Sequence, residues 1–258
     1  VNGRGIIATL AGLCLVAAQT QADDKDWKAM LEKHTFKYND GKTIPYRMLK
    51  PDNVDPDKKY PVVLFLHGAG ERGNDNEKQL VHGVGEFAKA ENRKKYPCFL
   101  VAPQCPKGQG WSDFLAKPGK EAEKQAEPGA AVFDLICALS YSIPIDCDRI
   151  YITGLSMGGF GTWDLITRNP GYFAAAVPVC GGGDPKQAEK IAKIPIWAFH
   201  GGKDTLVKPE RSREMVEALK KAGGKPKYTE YPDVGHNSWV KAYQDADMMK
   251  WLFEQKRK

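Results

Sequence analysis

Ser156 stands at the centre of Gly154-Leu155-Ser156-Met157-Gly158, between an apolar β-type run, Arg149 to Thr153, and a helical stretch, Met157 to Arg168. A serine hydroxyl is a weak nucleophile at neutral pH and attacks a carbonyl only when a base takes its proton. A sharp strand-to-helix turn would lift its oxygen above a sheet and set it at a helix N-terminus, where N–H groups favour developing negative charge. Bulky side chains two positions either side of such a turn would clash with the neighbouring elements, and Gly154 and Gly158 remove that obstacle.

The base needs an acid that fixes its tautomer and balances its charge, and both are expected downstream in the order acid, then histidine, each in a loop after a strand. Asp204 lies in His200-Gly201-Gly202-Lys203-Asp204, just beyond the apolar run ending at Phe199. His236 lies in Pro232-Asp233-Val234-Gly235-His236, just beyond Tyr231, and no other histidine follows Asp204. Two competing readings stand beside these: Asp204 as a turn cap before Val207, and Asp233 as the acid, three residues from His236. His200 reads as a strand-end residue packed below the site. The Met157 N–H and one N–H from His67-Gly68-Ala69-Gly70-Glu71-Arg72-Gly73 are the expected oxyanion donors, with Ala69 preferred and Gly70 as fallback.

These residues need a scaffold of alternating strands and helices. Continuous apolar runs at Val62 to Leu66, Phe99 to Ala102, Arg149 to Thr153, Ala174 to Val179 and Pro195 to Phe199, with Lys227 to Tyr231, read as strands of a parallel sheet covered on both faces. Helices are expected at Gly129 to Tyr141, Met157 to Arg168, Pro185 to Ala192, Glu210 to Lys221 and Ala242 to Glu254. Thr35 to Asn39 and Lys42 to Lys50 flank Asp40-Gly41, so the domain should open with an antiparallel hairpin on a two-residue turn. Only Cys180 to Lys193 separates one strand from the next at the position where a cap would be inserted, which predicts an open site. Gly83-Val84-Gly85-Glu86-Phe87-Ala88 matches a dinucleotide-binding pattern, but no strand leads into it, and the context excludes that reading.

The chain of 258 residues is 42% hydrophobic and 27% charged with a formal net charge of +6, which suits a single globular domain of ordinary surface. Basic residues are spread among 32 acids, so nucleic-acid binding has no support. Residues 1–22 combine Arg4, an apolar stretch from Ile6 to Ala18 and small residues at Thr20-Gln21-Ala22. That pattern predicts a secretory signal cleaved near Ala22, a secreted or periplasmic protein and a catalytic domain over 23–258. An apolar core of roughly 13 residues falls short of the ~20 that span a bilayer, so stable membrane insertion is not expected. Five cysteines remain after Ala22, an odd number that leaves at least one thiol outside any intrachain disulfide. None sits near histidine at zinc spacing, and no metal is expected.

Taken together, Leu66 to Asn76, Ala102-Pro103-Gln104-Cys105-Pro106, Gly154 to Gly159, His200 to Asp204 and Gly235-His236 resemble small bacterial α/β-hydrolases of the esterase and phospholipase/carboxylesterase type. That group is related to plant-biomass esterases, and some members are described as predicted peptidases. The resemblance implies an α/β-hydrolase fold without a cap domain, a Ser156, Asp204 and His236 triad, and no cofactor. It also implies that Glu71, Arg72, Gln104, Trp111 and Trp239 lie near the acyl or alcohol pocket. The expected substrate is a small or polysaccharide-linked ester, with acetyl or feruloyl groups as examples. A serine peptidase or a phospholipase would use the same three residues, and a non-catalytic carbohydrate-binding protein on this scaffold would be expected to have lost one of them.

Overall fold

The computed structural model describes residues 27–113 and 126–257, so the expected signal segment lies outside the described residues. Eight strands form one sheet: β1 (Glu32–Tyr38), β2 (Lys42–Leu49), β3 (Tyr60–Leu66), β4 (Phe99–Pro103), β5 (Ile145–Leu155), β6 (Ala175–Val179), β7 (Trp197–Gly201) and β8 (Lys227–Tyr231). Their order is β1-β2-β4-β3-β5-β6-β7-β8, with β1, β2 and β4 paired antiparallel and every other neighbour parallel. The helices are α1 (Val84–Ala88), α2 (Ala90–Lys95), α3 (Glu127–Ser142), α4 (Met157–Arg168), α5 (Ala188–Ile191), α6 (Glu210–Lys221), α7 (Trp239–Gln244) and α8 (Ala246–Glu254).

Strand β3 shows how the sheet is covered. Val62, Leu64 and Leu66 point into one apolar cluster with residues of α3, α4 and α6, while Val63 and Phe65 point into a second with residues of α1, α7 and α8. Every residue from Pro61 to Leu66 is buried, as a strand sandwiched between two helical layers requires. After β3 the chain passes to β4 on one side and later to β5 on the other. A parallel sheet opens a crevice at the carboxyl ends of its strands where the order reverses in this way. The loops after β3, β5, β7 and β8 all emerge at those carboxyl ends. This is the expected α/β-hydrolase fold, and residues 180–196 between β6 and β7 hold only a short 3₁₀ turn, Pro185–Gln187, and α5.

The structure corrects four details. Tyr38 pairs with Lys42, so the hairpin turns through three residues, Asn39–Gly41, with Gly41 in the left-handed region at φ +83°. Strand β5 starts earlier than its apolar run, because Ile145 pairs with Tyr60 before a bulge that restores pairing at Ile150 with Val62. The last helix is two helices, broken at Asp245, whose carboxylate accepts the Asp247 and Met248 N–H groups and starts α8. Helices α1 and α2 occupy a region the sequence reading left unassigned, and the glycine-rich decoy there lies at the entry to and within α1, with no strand feeding it. No helix among the described residues is long and apolar enough to cross a membrane. Asp245→Ala should lower the unfolding free energy by about 1 kcal/mol, with Asn losing less, as measured by urea denaturation; equal loss for both would place the effect outside the cap.

Candidate active site

Ser156 ends the turn between β5 and α4 with φ 52° and ψ −115°, a strained conformation for a residue with a side chain. The turn is tight because a Cβ on Gly154 would come within 2.5 Å of the Gly158 carbonyl oxygen, and one on Gly158 would overlap the Leu66 carbonyl. The strain is held by the strands on either side, with the Ser156 N–H donating to the Val179 carbonyl at 2.9 Å.

His236 and Asp204 come from neighbouring loops after β8 and β7 and meet beside Ser156. His236 Nδ1 lies 2.7 Å from Asp204 Oδ2, and His236 Nε2 lies 2.9 Å from Ser156 Oγ. A carboxylate only accepts, so the proton sits on Nδ1 and the Nε2 lone pair faces the serine hydroxyl, which donates to it. Asp204 is buried and uses its oxygens separately. Oδ1 accepts from the Leu206 and Val207 N–H groups at 2.9 Å each, and Oδ2 takes His236. Asp204 therefore caps the turn with one oxygen and meets His236 with the other. Asp233 is exposed and paired with Lys203 Nζ at 2.7 Å.

His200 is buried at the end of β7, as expected, but it does more than pack. Its Nε2 is 2.8 Å from the Val207 carbonyl and 3.3 Å from Asp204 Oδ2, and its Nδ1 is 2.7 Å from Ser212 Oγ. Burial pushes its basicity down; the ring donates from Nε2, and the one Ser212 hydroxyl proton is shared between its Nδ1 and the Gly181 carbonyl, 3.1 Å from Oγ.

The loop after β3 is the most heavily braced part of the site. His67 Nε2 accepts the Cys105 N–H at 2.9 Å, which leaves Nδ1 as the donor to the Gly68 carbonyl at 2.6 Å. Burial lowers its pKa to about 4, only partly offset by the bond to Gly68, so the ring is neutral. Trp111 Nε1 donates to the His67 carbonyl at 3.0 Å. Gln104 accepts the Asn76 N–H through Oε1 and donates through Nε2 to the Glu71 carbonyl and Asp75 Oδ1. Asn76 Nδ2 reaches the carbonyls of His34 and Tyr46, tying the loop to the β1–β2 hairpin. Within this frame Ala69 and Gly70 are exposed, and the Ala69 and Met157 N–H groups have no hydrogen-bond partner among the described residues.

Of the five residues expected near the pocket, Gln104 and Trp111 are fully buried and hydrogen-bonded to this loop. Arg72 faces a cleft of about 370 Å³ lined also by Gln109, Ser112 and Asp113. Ser156, Asp204 and His236 do not line that cleft. Glu71 Oε1 is 3.8 Å from His82 Nε2, and the His82 ring lies 5.2 Å from the Trp239 ring. Trp239 in turn stands edge-on to His236, with centroids 5.4 Å apart. The roles of His82 and His67 went unread in the sequence; the one signal was the position of His67 at the head of a glycine-rich loop. No group of His, Cys, Asp or Glu that could hold a metal ion occurs among the described residues, and the five described cysteines are free.

A model of the dienelactone hydrolase family matches residues 115–249, more than half of the chain, and its span takes in Ser156, Asp204 and His236. The crystal structure of a thermostable esterase is 44% identical with a TM-score of 0.85, covering 89% of this chain and 64% of that one. An uncharacterized secreted protein of Arthroderma benhamiae is 25% identical over 85% of this chain, which spans 26% of that relative's length. Acyl-protein thioesterase 1 of Neurospora crassa is 26% identical over 68% of this chain and 80% of its own.

The neutral state of His67 has a consequence for acid stability. The unfolded chain binds a proton at the ordinary histidine pKa of about 6.5, whereas folded His67 binds one only near 4. Between those values the unfolded state holds more protons, so stability should fall by about 3 kcal/mol as pH drops from 6.5 to 4 and level off below. Buried His200 shifts in the same direction and adds to the slope. Chemical denaturation across this range should show a clearly shallower slope for His67→Asn than for the parent; parallel slopes would exclude His67 as the source.

Proposed function

This chain belongs to the dienelactone hydrolase family, and on that premise we propose that it cleaves carboxylic esters through an acyl-enzyme formed on Ser156. One observation carries the reading: the unbroken relay from Ser156 Oγ to His236 Nε2 at 2.9 Å and from His236 Nδ1 to Asp204 Oδ2 at 2.7 Å.

His236 Nε2 takes the Ser156 proton as Oγ attacks the ester carbonyl, and the imidazolium is balanced by Asp204. The N–H groups of Met157 and Ala69, with Gly70 as the alternative donor, receive the oxyanion. His236 then gives its proton to the departing alcohol oxygen, and the acyl group remains on Ser156. A water molecule, deprotonated by the same Nε2, attacks the acyl-enzyme; the acid leaves and Ser156 regains its proton. His200, His67 and Gln104 hold the acid and the oxyanion loop in place without touching substrate.

The substrate proposed is a short-chain or aryl ester, such as an acetyl or feruloyl decoration of polysaccharide, in a site with no cap after β6. Export through the N-terminal signal is part of the same proposal, and similarity to a secreted fungal protein is consistent with it. The similarity to an esterase structure and to a thioesterase supports acyl transfer as the reaction.

The test is a panel of acetyl, butyryl, feruloyl and long-acyl esters and an aminoacyl p-nitroanilide, with a fluorophosphonate label. Ester turnover should exceed anilide turnover, and Ser156→Ala should lose labelling and roughly 10⁴-fold or more of kcat. Asp204→Asn is the sharper variant. Its amide oxygen must stay with the Leu206 and Val207 N–H groups, so its NH₂ faces His236 and forces the proton onto Nε2. The fold should survive while kcat falls about 10⁴-fold. Faster anilide turnover would make the protein a peptidase, and activity confined to long acyl chains would make it a lipase or phospholipase.

A further inference from the structure

The relay accounts for bond cleavage but leaves open which alcohol departs. Among the described residues the exposed large apolar side chains are Met30, Val54, Val81, Tyr141, Leu206 and Val240. Scattered singly, such residues carry no information. Val81 and Val240 each adjoin in sequence one member of a ring contact. Val81 directly precedes His82 and is 56% exposed, and Val240 directly follows Trp239 and is 47% exposed. The rings of His82 and Trp239 meet at 5.2 Å with an interplanar angle of 47°, bringing the two segments together. Trp239 then continues inward to stand at 88° to the His236 ring. A chain of rings thus runs from His82 through Trp239 to the imidazole that handles the proton, with Val81 and Val240 exposed next to its outer members in sequence. Glu71 Oε1 lies 3.8 Å from His82 Nε2.

We infer that Val81, His82, Trp239 and Val240 form a subsite for an apolar group on the alcohol portion of the ester. The inference rests on the acyl-enzyme reading above and departs from its polysaccharide example, whose departing alcohol is a polar sugar, by assigning the alcohol side an apolar group. The side follows from proton transfer. His236 Nε2 must reach the departing oxygen, so the alcohol lies on the imidazole's side of Ser156 Oγ, where Trp239 stands. The carbonyl oxygen points the other way, toward the Met157 and Ala69 N–H groups. An aromatic or branched alkyl alcohol therefore buries its surface on this patch, whereas a methyl or ethyl ester leaves the patch wet.

Benzyl butyrate and ethyl butyrate, whose alcohols are of similar acidity, separate binding from leaving-group chemistry. The unmodified protein should show a kcat/KM about tenfold higher for the benzyl ester. The double variant Val81→Ser, Val240→Ser should reduce that ratio to about twofold or less. Tyr141→Ser, an exposed apolar position on α3, should keep the parent ratio. Val240→Ser alone should give an intermediate ratio, which serves if the double variant folds poorly. The ratio of ethyl butyrate to ethyl acetate, which varies only the acyl group, should be the same in the double variant and the parent.

A parent ratio near one for the two alcohols, or a ratio unmoved by the serines, overturns the subsite. A shift in the acyl ratio alone overturns its assignment to the alcohol side. A dimer in sedimentation that Val240→Ser dissolves, with the alcohol ratio intact, gives the patch to a second copy of the chain and overturns the inference. Absence of turnover for every ester overturns the hydrolase reading and the subsite together, so the two failures are distinct.

Discussion

The carboxylate of Asp204 is the constraint on which the rest of the site depends. It is buried, and no lysine or arginine pairs with it among the described residues. A buried ion of this kind costs several kcal/mol unless its lone pairs are met by donors. Two backbone N–H groups meet Oδ1, and two imidazoles meet Oδ2. That requirement shapes the chain around it. The Leu206 and Val207 amides can reach Oδ1 only if the segment after Asp204 turns back on itself. The base must then approach from the next loop, and β8 beside β7 is what puts that loop within reach.

Three buried or half-buried histidines share this end of the sheet, and their surroundings assign them different work. His67 is closed on both nitrogens by backbone, one as donor and one as acceptor. His200 is likewise closed, between the Val207 carbonyl and Ser212. Burial lowers the basicity of both, which removes them as proton carriers near neutrality. His236 alone among them faces the serine of the strand-to-helix turn and remains partly open to solvent. Which histidine could serve as the proposed base is thus set by which ring the fold aims at Ser156, rather than by any property intrinsic to the residue.

How much of this could be read in the sequence depended on whether the signal was local. Helices α4 and α6 and strand β8 were read to the residue, because glycine and proline punctuate them and their apolar spacing is regular. The elbow and the meeting of Ser156, Asp204 and His236 were legible for a related reason, since Ser156 directly follows β5 and the other two lie in the loops after β7 and β8. What was missed depends on partners far along the chain. The bracing role of Gln104 and Trp111 could not be read, because their polar atoms bond to Asn76, Glu71, Asp75 and His67, 28 to 44 residues away. The break at Asp245 was hidden because the apolar spacing runs on through it, and only the cap geometry reveals that two helices meet there. The β5 bulge had no apolar run to announce it, since Asp146 to Arg149 face away from the core.

The position of the site follows from the sheet in a further way. Backbone hydrogen bonds link its parts in sequence across the carboxyl end of the sheet: Ser156 to Val179, Cys180 to Phe199, Gly202 to Tyr231 and Lys203 to Val234. Each bond joins the last residues of one strand, or the loop just beyond, to the next strand over. The proposed nucleophile, acid and base are therefore carried by one continuous ladder, and their mutual distances are properties of strand spacing. Catalysis by oriented dipoles requires that little reorganise when charge develops. A relay built on loop tips alone would have to order those loops at each turnover. Here the left-handed conformations of Ser156 and Cys180, each on the chain just past a strand end, are the local strain accepted for that rigidity. The free energy that holds them comes from the surrounding parallel strands and the helical layers packed on both faces, which is why Ser156 can sit in a conformation it would not adopt by itself.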